Sequence, residues 1–172
     1  MAIPKRLLNA LAKHKVKYRV LPHKTVFTAY DLATTLGEDL KKVAKTLLVR
    51  ADKRYVLVVL PASARLDFKK LAKLLKAKTV SISPEAAIKR FKVMPGTTPP
   101  FGSLLGVEVA LEQALVKAGD IIVRAGSLTE SLGMKVKDLV KMESPILGTF
   151  HEVAKKKAKV KKPNASGANK KK

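Results

Sequence analysis

The amino-acid sequence predicts a mixed α/β domain, closer to an α+β arrangement than to a doubly wound parallel sheet. Two observations lead to this fold class. Segments whose apolar residues recur at helical spacing are interspersed with short alternating or continuous apolar segments, which are typical of strands. Several neighbouring strand segments are separated by only a few residues, which favours antiparallel pairing over long helical crossovers. With 172 residues, we expect one compact domain with a sizeable core.

The beginning of the chain predicts a helix, a strand and a second helix. A proline in the first turn and leucines at helical spacing predict a helix over residues 4–14. The alternating segment 18–21, which is followed by a proline, predicts a short strand. Thr28 and Gly37 have the properties of a helix start and a helix stop, so we expect a helix over residues 30–36.

The clearest local prediction is a hairpin at the centre of the sheet, made of strands 43–50 and 55–61. Leucines at helical spacing then predict a helix over residues 67–77, with four lysines on its solvent face. Ser83, followed by Pro84, predicts the capping residue of another helix.

The last third of the chain predicts three further strands, at residues 107–111, 121–123 and 132–134. A short helix is expected over residues 136–142, followed by a closing extended segment at 145–150.

The charge of the chain favours a polyanionic partner. The sequence has 36 Lys and Arg against 13 Asp and Glu, a formal net charge of +23. Residues 155–172 hold nine lysines and no acid, and residues 1–154 still carry +14. We therefore expect an ordered domain over residues 1–154, a disordered lysine-rich tail, and binding to nucleic acid that weakens with salt. The alternative is that the lysines only keep the protein solvated.

Several classes of site are excluded by composition. The chain has no cysteine, which excludes disulfides, zinc–thiolate sites and thiol nucleophiles. Its three histidines are far apart, so we expect no metal site and no cofactor. The apolar runs are too short to span a bilayer. The basic residues 1–30 resemble an organellar transit peptide, but a first core helix explains them better, and we expect a cytoplasmic protein.

Lys45 is the candidate catalytic residue. In a strand, the period of two places Lys45 on the same face as Leu47 and Val49. If that face points toward the core, the ammonium lies at a partly dry position, which proteins rarely accept without a function or a partner. The alternative is that this lysine, one of many, extends its charge into water.

Residues 94–104 form the candidate binding loop. Its three prolines and two glycines exclude a helix or a paired inner strand. A stiff loop of this kind can hold backbone amides toward a carbonyl or carboxylate oxygen of a ligand. The alternative is an ordinary surface connection. The candidate substrate-binding residues in the loop are Gly96, Thr97, Thr98, Pro99, Pro100, Phe101 and Gly102.

Two shorter segments add candidate binding residues. His23 follows the first strand and could orient a substrate or transfer a proton, or it could be an ordinary exposed histidine. Gly126 and Ser127 follow a strand and can offer an amide and a hydroxyl, or form only a turn. The sequence has no G-x-S-x-G, P-loop or G-x-G-x-x-G motif. It therefore gives no support for an α/β-hydrolase with a nucleophile elbow or for a nucleotide-binding protein.

Taken in chain order, these segments resemble the YbaK/prolyl-tRNA-synthetase editing-domain family of trans-acting aminoacyl-tRNA deacylases. The resemblance covers residues 5–150. It is carried by the His23 loop, Ala44-Lys45-Thr46-Leu47, Leu60-Pro61-Ala62, Phe91, the loop from Gly96 to Leu104, Ala125-Gly126-Ser127 and Met134 with Asp138-Leu139. It implies a curved mixed sheet flanked by helices, and hydrolysis of the ester that joins a wrong amino acid to tRNA.

The resemblance also implies roles for the candidate residues. Lys45 matches the lysine of the family's pocket, and the loop from Gly96 matches the glycine/proline loop beside it. His23 and Gly126 fall where other members line the pocket. The implied partner is mischarged tRNA, and the resemblance leaves open whether the protein acts alone or docked on an aminoacyl-tRNA synthetase.

Two departures from the family pattern keep other functions open. Many relatives carry an acidic residue near the strand that follows the loop, where this chain has Val109-Ala110-Leu111. The lysine-rich tail is also outside the family pattern. A non-catalytic module that binds tRNA or another RNA is therefore the main alternative, and a regulatory protein that binds an acidic partner is a third.

Overall fold

The computed structural model describes residues 3–94 and 96–153. Its strands form two β-sheets, which meet at one β-bridge. The predicted tail, residues 155–172, lies outside the described residues. In chain order the elements are α1 (Lys5–Lys13), β1 (Tyr18–Pro22), α2 (Ala29–Leu36), β2 (Ala44–Ala51), β3 (Arg54–Pro61), α3 (Phe68–Leu75), β4 (Val80–Ile82), α4 (Glu85–Arg90), a 3-10 turn (Gly102–Leu104), β5 (Glu108–Glu112), α5 (Gln113–Val116), β6 (Asp120–Arg124), β7 (Glu130–Lys135), α6 (Val136–Glu143) and β8 (Ile146–Gly148).

The sheets combine antiparallel and parallel pairing. The smaller sheet has the order β1-β7-β6 and is antiparallel throughout. The larger sheet has the order β4-β2-β3-β5-β8, in which β2 runs antiparallel to β3 and β4, while β5 runs parallel to β3 and β8. This confirms the predicted mixed α/β fold, with the β2–β3 hairpin at the centre of the larger sheet.

The central strand β3 is buried on both faces. Leu57 and Val59 pack into one core cluster, on the side of α1 and α6, whereas Val56, Val58 and Leu60 pack into a second cluster beneath α3. A strand covered on both sides has no solvent face, which explains the continuous apolar run that identified it in the sequence.

The junction between the sheets places two cations on a common face. Val43 forms a parallel bridge with Ile122, whose N–H donates to the Lys42 carbonyl at 2.9 Å. Side chains alternate along a strand, so Lys45 and Arg124, each two residues further on, lie on the face that holds Val43 and Ile122. A third core cluster, which includes Val43 and Ile122, covers this face.

Capping residues near the ends of α2 set where this helix begins and ends. The Thr28 hydroxyl accepts a hydrogen bond from the Asp31 amide at 3.0 Å, and Gly37 ends α2 with φ of 68°. One predicted cap is wrong: Pro84, not Ser83, is the N-cap of α4, and the buried Ser83 hydroxyl has no hydrogen-bond partner among the described residues. Within the described ranges, no helix is long and apolar enough to cross a membrane.

Candidate functional site

Lys45, the second residue of β2, has a half-buried side chain on the inner face of the strand. Leu47 and Val49 pack in the cluster beneath α3, as the alternation predicted. The Lys45 ammonium donates to the Ala64 carbonyl at 2.6 Å. Burial is the main cause that lowers the pKa of Lys45, and the nearby charge of Arg65 lowers it further.

This environment makes Lys45 a suitable electrostatic group. An ammonium has three N–H donors, and one of them is used by Ala64. The other two can bind a carbonyl or phosphate oxygen of a ligand. Because the charge is partly withdrawn from water, such an interaction is stronger than at a solvated lysine.

His23 is held in place by both of its ring nitrogens. Nδ1 lies 2.8 Å from the Lys24 carbonyl, and Nε2 lies 2.9 Å from the Ser131 hydroxyl. A carbonyl only accepts, so Nδ1 donates to Lys24, while the Ser131 hydroxyl is able to donate to Nε2 or to accept from it. The backbone N–H of His23 also donates to Thr129 at 2.9 Å. These contacts suit a positioned side chain better than a proton carrier.

Three loops that are distant in sequence contact one another: residues 23–28, 96–98 and 125–127. The Gly126 amide donates to the Thr97 carbonyl at 2.9 Å. Gly96 has φ of 84°, and a Cβ atom there would lie 2.8 Å from the Phe27 carbonyl oxygen. Only glycine permits so close an approach in this conformation.

Arg124, at the end of β6, joins two of these loops. Its Nη2 donates to the Val26 carbonyl at 2.9 Å and to the Ser127 carbonyl at 3.2 Å. The residue is 3% exposed, and its Nε and Nη1 atoms have no hydrogen-bond partner among the described residues. Burial lowers the pKa of Arg124. In the β6–β7 register it lies opposite Ser131, and therefore beside His23.

The sequence interpretation missed Arg124 and Ser131. An arginine at the end of an apolar strand is typical of a solvated strand terminus, and Ser131 lies within a segment with weak alternation. Residues two apart in a strand lie on the same face, so the apolar residue Ile122 was the signal that could have predicted a buried Arg124.

The candidate loop is mostly buried. Thr97, Thr98, Pro99, Pro100, Phe101 and Gly102 are all buried. Phe101 belongs to the core cluster on the α1 side, and a Cβ atom at Gly102 would overlap the Val107 carbonyl. These two residues anchor the loop, and their contact with a ligand stays a prediction.

Some polar groups of the candidate residues are already engaged within the protein. The Thr97 amide and hydroxyl both donate to the Met94 carbonyl, at 3.1 and 2.7 Å. The Ser127 hydroxyl accepts from the amides of Thr129 and Glu130, both at 3.1 Å. The Gly126 amide therefore joins two loops, and the Thr97 amide closes a turn within its own loop. The role of the loop's other amides in binding a ligand oxygen stays a prediction. In the described part of the chain, no group of three or more histidine or acidic residues could hold a metal ion.

Gly96→Ala tests the contact between the loops. The left-handed φ alone costs about 1 kcal/mol with a Cβ atom, and displacing the Phe27 carbonyl adds roughly 1–3 kcal/mol. The matched control is Gly37→Ala, since Gly37 has φ of 68° and nothing within 4 Å of its Cβ position. We expect thermal unfolding to show a larger loss for Gly96→Ala, at roughly 2–4 °C per kcal/mol. Equal losses would contradict the close approach.

Comparisons with known proteins identify the family of the chain and support its fold. A family model described as an aminoacyl-tRNA editing domain matches residues 23–142. The fold is similar to the crystal structure of the hypothetical protein APE2540, with a TM-score of 0.79, 18% identity, and coverage of 86% of this chain and 99% of the other. It is also similar to a protein proposed to be a trans-editing enzyme for prolyl tRNA synthetase, with a TM-score of 0.75, 20% identity, and coverage of 87% and 96%. No curated protein matches the sequence.

Proposed function

The chain belongs to the aminoacyl-tRNA editing domain family, and from that premise we propose that it acts in trans as a deacylase on mischarged tRNA. The family resemblance inferred from the sequence is confirmed by the match to residues 23–142. The reaction we propose is hydrolysis of the ester between a wrong amino acid and the terminal ribose. We place this activity in the cytoplasm, with translation.

The observation that carries the proposal is the half-buried ammonium of Lys45. Ester hydrolysis develops negative charge on the carbonyl oxygen, and a fixed donor in a poorly solvated position stabilises that charge strongly. Lys45 has such a position, fixed by the Ala64 carbonyl and with donors to spare. Contacts join the loops that contain Phe27, Gly96 and Gly126 to one another, and in this proposal they form the walls of the pocket that Lys45 serves.

In the proposed reaction, water attacks the ester carbonyl carbon and the bond to the ribose oxygen breaks. The released ribose oxygen takes up a proton from the attacking water, so the products are free amino acid and uncharged tRNA. Lys45 acts electrostatically, either on the carbonyl oxygen or on a phosphate of the terminal adenosine. A protonated lysine is a poor general base, so we do not assign it that role.

A deacylation assay on a panel of mischarged tRNAs tests the proposal. We expect hydrolysis of one or a few aminoacyl-tRNAs well above the rate in buffer, and little hydrolysis of correctly charged tRNA. Release of labelled amino acid under single-turnover conditions gives the rate. Rates equal to buffer across the whole panel, with tRNA bound, would contradict the proposed hydrolase.

That contrary outcome would favour a non-catalytic module that binds tRNA ends. One observation supports this alternative: among the described residues, no carboxylate hydrogen-bonds Lys45, His23 or Arg124. The acids that flank residues 109–111 are engaged elsewhere: Glu108 with Arg54, and Glu112 with the segment 150–151. The module would show tight, salt-sensitive binding and no turnover.

A further inference from the structure

A large open cleft lies next to Lys45. Ala64, whose carbonyl accepts the Lys45 ammonium, is part of its wall. The cleft has a volume of about 1360 Å³ and lies between the segment 61–70 and the segment 151–153. This volume is larger than the roughly 300–1,000 Å³ typical of sites for small molecules. The cleft therefore suits an extended ligand that leads up to Lys45.

The lining of the cleft is mainly cationic. Four of its residues carry positive charge, against two acids, and one of these acids, Asp67, uses a carboxylate oxygen to cap α3 at the Lys70 amide. The cations are Lys41, Arg65, Lys69 and Lys70. A cluster of this kind attracts a phosphate backbone.

The lining of the cleft also includes apolar and aromatic surface. Phe68, at the start of α3, is 41% exposed although it is large and apolar, and it lines the cleft. His151 lines the cleft from the segment on the opposite side. Exposed aromatic rings inside a cationic groove are the typical arrangement for single-stranded nucleic acid, whose bases stack on the rings while the phosphates meet the cations.

The last described residues fix the other wall of the cleft. Glu112 accepts hydrogen bonds from the amides of Phe150 and His151 and lies 2.8 Å from His151 Nδ1. Val153 lines the cleft, and the nine lysines begin two residues later. This wall lies beyond residues 23–142, the range that matches the family model.

We propose that this cleft binds the single-stranded 3′ end of tRNA and directs its terminal ester to Lys45. The phosphates lie against the four cations, and a base stacks on Phe68. This inference rests on the proposed function, since it takes aminoacyl-tRNA as the ligand.

The test measures binding of a labelled RNA hairpin with and without a four-nucleotide 3′ overhang, by fluorescence anisotropy over a range of salt. We expect the wild-type protein to bind the overhang hairpin more tightly. Phe68→Ala should weaken that binding about 5- to 100-fold and leave the blunt hairpin unchanged. Tyr18→Ala, which removes an exposed aromatic ring outside the cleft, is the matched control and should have no effect.

A second pair of variants tests the cations. Arg65→Ala/Lys69→Ala should lower the salt dependence of overhang binding by about 1.4 in the slope of log K against log salt, because each single-strand phosphate contact contributes about 0.7. Lys13→Ala/Lys137→Ala removes the same charge from exposed positions in α1 and α6, and its slope for the overhang hairpin should stay near that of the wild type.

The outcomes separate this proposal from the proposed function. Equal binding of both hairpins, or equal effects of the cleft and control variants, would overturn the cleft as the site of the 3′ end, whatever the deacylation assay shows. Overhang-dependent binding that Phe68→Ala removes would support the cleft even if no ester is hydrolysed.

Discussion

Lys45→Ala is expected to lower the single-turnover rate of ester hydrolysis by about 100-fold or more while the protein remains folded. A loss of this size is typical when a fixed donor to a developing negative charge is removed from a poorly solvated site. Lys45 donates to Ala64 from a half-buried position, and the variant removes that donor without touching the core clusters. The measurement is release of amino acid from the mischarged tRNA that the wild type hydrolyses fastest.

Companion variants separate charge from geometry. Lys45→Met keeps the length of the side chain and removes the half-buried charge, so we expect the same loss of rate with equal or greater thermal stability. Lys45→Arg keeps the charge but replaces a compact ammonium by a planar fork, and it should rescue little of the rate. Lys53→Ala, at an exposed turn lysine, is the control. Full activity of Lys45→Met would show that the ammonium has no role in the reaction.

The lowered pKa of Lys45 also determines whether the stability of the protein rises or falls with pH. In the folded protein the pKa lies below its ordinary value of 10.5, so the unfolded chain holds more protons between the two values. Stability contributed at this residue therefore rises as the pH increases through the folded pKa toward 10.5. Lys45→Met should lack this rise in denaturant unfolding at alkaline pH.

Elements with strong local signals were predictable from the sequence. The helix α2 has its cap at Thr28 and its stop at Gly37, and both act through the backbone of the helix itself. The strand β4 was missed because it has only three residues, which are fixed by pairing with residues 49–51. The single turn of α5 was missed for a related reason, since its N-cap is Glu112, whose carboxylate mainly contacts the distant segment 150–151.

The site was predictable in part. Strand alternation placed Lys45 inward, and this required only residues 44–49. The contacts that gather the loops join Gly126 to Thr97 and Arg124 to Val26. The two residues of each pair are distant in sequence, and nothing in the sequence around one residue indicates which residue it contacts. The register that sets Arg124 opposite Ser131 likewise depends on tertiary structure.

Glu112→Ala is expected to lower the free energy of unfolding by about 3–5 kcal/mol, a value typical for breaking a buried ionic and hydrogen-bonded group. Glu112 is 0% exposed, and its carboxylate accepts from the amides of Ala114, Phe150 and His151 and contacts the His151 ring. Truncation leaves these amides without their acceptor. At roughly 2–4 °C per kcal/mol, the melting temperature should fall by about 6–20 °C.

Glu108→Ala is the matched control for this experiment. Glu108 lies on the same strand and pairs with Arg54 at 3.2 Å, but both side chains are about half exposed, so the pair contributes at most about 1 kcal/mol. If Glu108→Ala and Glu112→Ala destabilise the protein equally, the carboxylate of Glu112 does not fix the segment 150–151.

The pH dependence of the Glu112 contribution follows from its hydrogen bonds. Burial alone would raise the pKa of Glu112, but the hydrogen bonds from Ala114, His151 and Phe150 outweigh it and hold the pKa below its ordinary value of 4.5. A lowered folded pKa stabilises the protein above pH 4.5, and this stability is lost as the pH falls through the folded pKa. Glu112→Gln should remove that acid-dependent loss. Since Glu112 also fixes residues 150–151 at the wall of the cleft, Glu112→Ala should weaken binding of the overhang hairpin at a temperature where the variant is still folded, whereas Glu108→Ala should not.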